Sequence, residues 1–248
     1  MIPLVKTGVP GLDELMDGGI PEGSTVLVSG SPGCGKSIMG LQYVYAGIAT
    51  GEPALYVTFE ENRPLVLEQA RQFGWDLEGC EKRGFLRLLN FNMSATHPVN
   101  IINSIEAEAK RLKAKRIVID SITVLGVYSE VLAGVELLQM MGVRSEHREI
   151  PQSEAVRRGA IMGLVGKLKG IGATSLVISE LPESTHFLSR DTVSEYVCDG
   201  VVRMMHANIE GKRTRMIEVL KMRLTHIDDS PYVFIIGKGG VSITKKRA

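Results

Sequence analysis

The sequence feature that most constrains this chain is the segment GSPGCGKS at residues 30–37. It matches the pattern GxxxxGK[ST] and lies between a short apolar run and a segment with helical periodicity, where a phosphate-binding P-loop must lie. In such a loop, glycines let successive backbone N–H groups face phosphate oxygens, and the following helix adds the positive end of its dipole. The segment therefore predicts a nucleoside triphosphate site. A glycine-rich turn with a chance lysine is the structural alternative.

The residues of this loop have separate expected roles. Lys36 neutralises charge on the β- and γ-phosphates, and Ser37 supplies a hydroxyl to Mg²⁺, which prefers hard oxygen ligands. We predict nucleotide contacts along the loop and at the residue after it, namely Gly30, Ser31, Pro32, Gly33, Cys34, Gly35, Lys36, Ser37 and Ile38. No NKxD segment, the guanine-reading signature of many GTPases, occurs in the chain, so ATP and Mg²⁺ are the expected cofactors.

Acidic residues follow two other apolar runs. Asp120 ends the run RIVID, and a carboxylate in that position holds magnesium through water in P-loop enzymes, so we predict Asp120 as a metal ligand beside Ser37. Hydrolysis also needs a group that positions or deprotonates the attacking water. Glu60 and Glu61 follow the run 54–59, and we predict catalytic roles for both, together with Lys36, if that strand neighbours the P-loop strand. The structural alternatives are helix capping by Asp120 and a first-turn position for Glu61.

Short β-branched runs alternate with helical segments along most of the chain. The runs lie at residues 25–29, 54–59, 85–89, 116–119 and 174–179, and this order predicts an α/β fold with a mostly parallel central sheet and helices on both faces. The irregular stretch 123–154 predicts a mobile loop or an inserted helix. After residue 199, strands separated by turns indicate antiparallel pairing at the C-terminal end. No linker divides the chain, so we expect a single domain over 1–248.

Charge and cysteine content limit the possible partners. The chain has 29 basic and 28 acidic residues, so its overall charge gives no attraction to nucleic acid or to a membrane surface. Three well-separated cysteines lack CxxC spacing, which argues against disulfides or a zinc site and suits a reducing compartment. No window approaches the roughly 18 apolar residues that span a bilayer. We therefore expect a soluble, cytoplasmic protein without a membrane partner.

The motifs, their order and their flanks resemble the RecA superfamily, and within it the single-domain relatives of the circadian-clock ATPase KaiC. The resemblance covers nearly the whole chain. Its colinear segments are TGVPGLDEL at 7–15, YVTFEE at 56–61, VSEYVCDGV at 193–201 and KMR at 221–223. It implies a RecA-like P-loop ATPase core and homo-oligomers, hexameric rings with ATP between subunits.

The resemblance also implies roles for residues near the end of the chain. A strand places Lys221 and Arg223 on one face, and the family resemblance implies that they act on the nucleotide of a neighbouring subunit. Two solvated cations that protect an edge strand are the structural alternative. His226 either reaches a nucleotide or ends a strand. Leu224 stands where the family more usually has glycine, which stiffens the backbone there.

One further difference from the clock protein concerns phosphorylation. Glu195 and Tyr196 stand where the second domain of the clock protein has its phosphoacceptor Ser–Thr pair, so autophosphorylation of that kind is not expected. The favoured hypothesis is a ring-forming ATPase that acts as a nucleotide-driven switch for an unknown signalling protein.

Two other functions stay open. A recombinase-like protein would bind nucleic acid through the loops after the 116–120 and 174–179 runs. Those loops have mixed charge, and the later one has a single aromatic residue, Phe187. A regulatory module that holds ATP with negligible turnover is the third possibility.

Overall fold

The computed structural model describes residues 2–91, 93, 96–140, 153–182, 187–209 and 211–247. Its strands are β1 (Leu4–Val5), β2 (Ile20–Pro21), β3 (Thr25–Gly30), β4 (Ala54–Thr58), β5 (Leu86–Asn90), β6 (Arg116–Asp120), β7 (Thr174–Glu180), β8 (Gly200–Ile209), β9 (Lys212–Met222), β10 (Tyr232–Gly237) and β11 (Gly240–Arg247). Its α-helices are α1 (Lys36–Ala49), α2 (Arg63–Gln72), α3 (Leu77–Lys82), α4 (Pro98–Leu112), α5 (Ile122–Met140), α6 (Glu154–Ile171) and α7 (Ser194–Val197).

Nine of these strands form one mixed sheet, in the order β11-β10-β9-β8-β3-β7-β6-β4-β5. The six strands from β8 to β5 are parallel, and β9, β10 and β11 continue the sheet with antiparallel pairing. The predicted fold class is therefore confirmed, including its antiparallel C-terminal end. A separate two-stranded ladder of β1 and β2 near the N-terminus was not predicted.

Helices cover both faces of the sheet and bury two hydrophobic layers. On one face, residues of α1 and α2 pack against side chains such as Tyr56 of β4 and Val118 of β6. On the other face, α4, α5 and α6 pack against side chains such as Val57 and Ile119. Apolar stripes of α4 and α6 lie in this second layer; they are Ile101, Ile105 and Ala109 of α4 and Ile161, Leu164, Val165 and Leu168 of α6, with Leu112 and Ile171 at its border.

Helix α2 begins after a capping asparagine. The side chain of Asn62 accepts a hydrogen bond of 3.1 Å from the backbone N–H of Leu65, and Pro64 lies in the first turn. Asparagine at this position pairs an N–H group that the helix itself leaves without a partner. Gly74, with a φ of 77°, lies just beyond the end of the helix.

The stretch predicted as a loop or an inserted helix begins with α5, which has 19 residues. Residues 141–152 of that stretch lie outside the described part of the chain. Contrary to expectation, α5 is long and apolar enough to cross a membrane by length and composition alone. Leu125 and Leu138 of this helix are buried in the protein. Because a buried core helix has the same composition, α5 is weak evidence for a membrane span.

Candidate functional site

The P-loop connects β3 to α1 at the carboxyl end of the parallel strands. A Cβ atom at Gly30 would overlap the carbonyl oxygen of Met204 in β8, so glycine is needed for the two backbones to approach. Gly33 and Gly35 have φ angles of 73° and 109°, in the left-handed region that favours glycine. The backbone geometry of this fold therefore favours glycine at all three glycine positions of the motif.

Lys36 lies buried beneath this loop. Its Nζ donates hydrogen bonds of 3.0 Å to the carbonyl oxygens of Gly30 and Ser31. Cys34 is buried as well, and burial raises the pKa of its thiol despite the opposing charge of Lys36. A buried, protonated thiol is unreactive, which supports a packing role for Cys34.

Ser37 and Asp120, the two predicted magnesium ligands, contact each other. Asp120 ends β6, and its carboxylate accepts hydrogen bonds from the hydroxyl groups of Ser37 and Tyr56, the latter at 2.7 Å. Burial raises the pKa of Asp120 to about 6, although the two hydrogen bonds oppose this shift. Tyr56 was not predicted as a site residue. It lies two residues before Thr58, the partner of Asp120 in β4, and so on the same sheet face.

The oxygen donors of Ser37 and Asp120 fit Mg²⁺. Among the described residues, no group of three or more His, Cys, Asp or Glu side chains has an arrangement suited to holding a metal ion. A hydroxyl with one nearby carboxylate suits a magnesium ion that keeps several waters and also binds phosphate oxygens. Zinc and other metals that require three or four protein ligands fit this arrangement poorly.

Glu60 and Glu61 lie where β4 ends. The Ser121 hydroxyl donates a hydrogen bond of 2.7 Å to Oε1 of Glu60. The backbone N–H of Glu61 donates to the hydroxyl of Thr58 at 3.1 Å. Burial, followed by the charge of Glu60, raises the pKa of Glu61, and both glutamates act electrostatically on Asp120. The predicted catalytic carboxylates therefore meet the predicted metal ligand at one edge of the sheet.

The route by which they meet differs from the one assumed from the sequence. β4 does not neighbour the P-loop strand, because β7 and β6 lie between β3 and β4. Instead, β4 pairs with β6, and Thr58 lies opposite Asp120. The condition that β4 neighbours β3 is therefore not met. The catalytic roles of Glu60 and Glu61 stay predictions.

Lys221, Arg223 and His226 lie far from the P-loop of their own chain. β8 aligns Met204 with Gly30 at the carboxyl end of β3 and Gly200 with Val26 near its amino end. Gly200 pairs in turn with Met222, so the KMR segment lies about 13 Å along the sheet from the loop, at roughly 3.3 Å per residue. The structure does not bring these three residues together with Lys36 and Asp120.

The two cations of this segment have partners within the chain. Lys221 donates hydrogen bonds to the carbonyl oxygens of Glu195 and Cys198, at 2.9 and 2.7 Å. Arg223 forms an ion pair of 3.1 Å with Asp199, and its side chain remains 53% exposed. His226 borders a surface cavity of about 660 Å³ together with the exposed side chain of Leu224 and others.

Two features beside the P-loop were not predicted. An open cavity of about 430 Å³ is lined by Pro32, Gly33, His206, Arg213 and Arg215. Its arginines belong to β9 and favour an anionic ligand next to the loop. The second feature is Glu180, which ends β7 just as Asp120 ends β6; an acidic residue after an apolar run was the signal that could have found it.

Known proteins resemble this chain over almost its whole length. The family model of the KaiC ATPase matches residues 5–150 and 145–248. A UPF0273 protein of Pyrococcus furiosus is 30% identical over 258 residues, which cover 98% of this chain and 94% of that protein. The circadian clock oscillator protein KaiC of Parathermosynechococcus lividus is 32% identical over 256 residues, covering 98% of this chain and 42% of its own length.

A solved structure agrees with these sequence matches. The crystal structure of a KaiC-like protein from the hyperthermophilic archaeon Pyrococcus horikoshii OT3 superimposes with a TM-score of 0.81. It is 31% identical in sequence and covers 98% of this chain and 100% of that chain. The resemblance inferred from the motifs is therefore confirmed, and this chain belongs to the KaiC ATPase family.

Proposed function

We propose that the protein binds ATP with Mg²⁺ at its P-loop and hydrolyses it. Membership of the KaiC ATPase family supports ATP binding. The observation that carries the proposal of hydrolysis is that Ser37, Asp120 and Glu60 lie together where the parallel strands end. The Ser37 hydroxyl donates a hydrogen bond to the Asp120 carboxylate. The hydroxyl of Ser121, the residue that follows Asp120, donates a hydrogen bond to the Glu60 carboxylate.

Each of these residues has a role in phosphoryl transfer. Ser37 would hold Mg²⁺ directly and Asp120 through water, and the bound ion would neutralise charge on the β- and γ-phosphates. Lys36 would exchange its carbonyl partners in the P-loop for phosphate oxygens. Glu60, held by Ser121, would orient the attacking water and accept its proton. Glu61, whose pKa is raised by burial and by Glu60, is the second candidate for that role.

The proposal extends to a ring of identical subunits. Lys221 and Arg223 lie about 13 Å along the sheet from the P-loop, by the same strand geometry, so a contact with nucleotide requires a second chain. We therefore place these cations, with His226 nearby, at the nucleotide of a neighbouring subunit. The number of six subunits is proposed from the family resemblance alone. In such a ring, ATP turnover would change subunit contacts and so act as a switch for a signalling partner.

Nucleic-acid binding is not proposed. That alternative depends on two loops that include residues 141–152 and 183–186, which lie outside the described part of the chain.

The experiment measures phosphate release from ATP and from GTP, with and without Mg²⁺, while light scattering records the mass of the particle. Wild type should hydrolyse ATP only with Mg²⁺, and Lys36→Ala and Glu60→Gln should lose about 100-fold or more of the rate. Glu68→Gln is the matched control, because Glu68 is an exposed residue of α2. Turnover by wild type no faster than by Glu60→Gln would contradict the catalytic role of Glu60, and a monomeric mass with ATP would contradict the ring.

A further inference from the structure

The backbone of Glu180 is fixed between the P-loop strand and the strand that carries Asp120. β7 lies between β3 and β6, and Glu180 pairs with Gly30, the first residue of the P-loop motif. The N–H of Glu180 donates to the hydroxyl of Thr123 in α5 at 3.0 Å. The N–H of Leu181 donates to the carbonyl oxygen of Gly30 at 2.9 Å. The end of β7 is therefore held on both sides.

The side chain of Glu180 emerges on the face that α1 covers. Side chains alternate along a strand, so Glu180 shares a face with Ile178 and opposes Ser179. Ser179 faces α5, because its hydroxyl lies 3.2 Å from that of Thr123. Ile178 faces α1, because a Cβ atom at Gly40 would lie 3.2 Å from its side chain. Glu180 thus points to the α1 side.

This placement brings Glu180 to the first turn of α1. Gly40 lies one turn after Lys36, and α1 runs from the P-loop back along the sheet. The first turn of the helix therefore lies over the strand ends beyond Ile178. A Cβ atom at Gly30, the strand partner of Glu180, would lie 3.1 Å from Sγ of Cys34 in the P-loop. The carboxylate of Glu180 accordingly lies on the P-loop side of the sheet.

Glu180 is also a near neighbour of Asp120 on the same face. The β6–β7 register aligns Ile119 with Val177, so Glu180 lies one strand across and two residues beyond Asp120. Strand spacing and rise place their Cα atoms about 8 Å apart. Asp120 and Glu180 are both partly exposed at the ends of their strands. The exposed position leaves room for water and ligand at Glu180.

We propose that Glu180 is a second carboxylate of the nucleotide site, which accepts hydrogen bonds from water bound to Mg²⁺ and makes ATP binding dependent on the metal. This inference rests on the proposed function. A carboxylate beside the P-loop repels metal-free ATP, which carries several negative charges, and attracts a hydrated magnesium ion. The Glu180 carboxylate should therefore weaken binding of metal-free ATP and strengthen binding of ATP with Mg²⁺. The two effects can be measured separately.

The test measures binding of a fluorescent ATP analogue by anisotropy, in excess EDTA and across a Mg²⁺ titration. Glu180→Gln should bind the metal-free analogue about threefold to tenfold more tightly than wild type, because one like charge is removed. It should also need about fivefold more Mg²⁺ for half-maximal binding, because a ligand of the metal-bound water is weakened. Glu22→Gln removes the same charge near the amino end of β3 and should change neither value.

Other outcomes would overturn the inference. Equal affinities of wild type and Glu180→Gln in both conditions would show that Glu180 lies outside the site. A parallel loss of affinity in both conditions would show a structural role. If Glu180→Gln does not fold, Glu180→Asp keeps the charge but shortens the side chain; it should raise the Mg²⁺ requirement and leave metal-free affinity unchanged, and an unchanged requirement would refute the inference. Failure of the proposed function differs, since wild type and Lys36→Ala would then bind the analogue equally.

Discussion

The hydroxyl of Ser121 donates a hydrogen bond to Oε1 of Glu60 across the ends of β6 and β4, at a distance of 2.7 Å. Ser121 follows Asp120 directly, so one bond connects the proposed base to the strand that carries the proposed metal ligand. Ser121 is buried, which limits competition from water for this bond. The contact therefore fixes where the Glu60 carboxylate points.

Ser121→Ala should lower kcat for ATP hydrolysis about tenfold with little change in KM. The glutamate would remain but would lose its orientation, and misplaced general bases lose much of their effect. Steady-state kinetics tests this, with Ser175→Ala as the control, since the buried Ser175 hydroxyl donates to the backbone carbonyl of Ala173. An unchanged kcat, or an equal loss in both variants, would show that Ser121 does not position Glu60.

Tyr56→Phe should cost more stability than Tyr43→Phe. Both hydroxyl groups are buried, but Tyr56 donates to the Asp120 carboxylate and Tyr43 to the carbonyl oxygen of Thr174. Hydrogen bonds to charged groups contribute about 2 kcal/mol and neutral ones about 1 kcal/mol. Urea denaturation at pH 8 in EDTA measures both losses. Because the pKa of Asp120 is about 6, the difference should shrink at pH 5, and a constant difference would contradict this assignment.

Leu224→Gly should stabilise the protein by about 1 kcal/mol, because a non-glycine residue in the left-handed region is strained. Leu224 has a φ of 67° and is 76% exposed, so its removal loses little packing in the isolated chain. Thermal denaturation of the variant and of wild type measures the gain. Leu65→Gly, an exposed leucine in α2, should instead destabilise by about 1 kcal/mol. A loss of stability in both variants would argue against strain at Leu224.

Asp199→Asn should make the free energy of unfolding depend less on pH in the acid range. The Asp199 carboxylate accepts hydrogen bonds from the amide of Thr25, from Lys169 and from Arg223. Burial alone would raise its pKa, but the bonds from Lys169 and Thr25 outweigh it and hold the pKa below its usual value.

The lowered pKa of Asp199 determines how its contribution to the free energy of unfolding changes with pH. The stabilisation is present above the unfolded-state pKa of about 4 and is lost as pH falls through the folded-state value. The free energy of unfolding of wild type should exceed that of Asp199→Asn by about 1 to 2 kcal/mol at pH 7, and this gap should become smaller toward pH 3. Denaturation at several pH values checks this, with the exposed Asp229→Asn as control. A gap that widens in acid would contradict the assignment.

Arg223→Ala should lower ATP turnover about 1000-fold while nucleotide binding remains, as expected for an arginine that acts across a subunit interface. A mixing experiment tests the trans arrangement directly. Rings that combine Arg223→Ala and Lys36→Ala subunits contain some interfaces with both residues intact, so they should recover part of the wild-type rate. Failure of the mixture to exceed either variant alone would show that Arg223 does not act in trans.

Local features of this protein were predictable from its sequence. The P-loop, the Asn62 cap and the alternating strands and helices each depend on residues within one or two turns or a single strand. Their spacing acts through backbone geometry and propensity, which neighbours in sequence determine. Asp120 was recognisable for the same reason, because a polar residue at the end of an apolar strand is itself a local pattern.

The assembly of the site depended on contacts between distant segments. Only the strand order placed β4 beside β6 and brought Ser121 to Glu60, Tyr56 to Asp120 and Glu180 to Gly30. Likewise, the pairing of β8 with β3 and β9 moved Arg223 to the opposite end of the sheet from the P-loop. Strand order minimises the free energy of packing both helical layers at once, and no short run of residues contains that information.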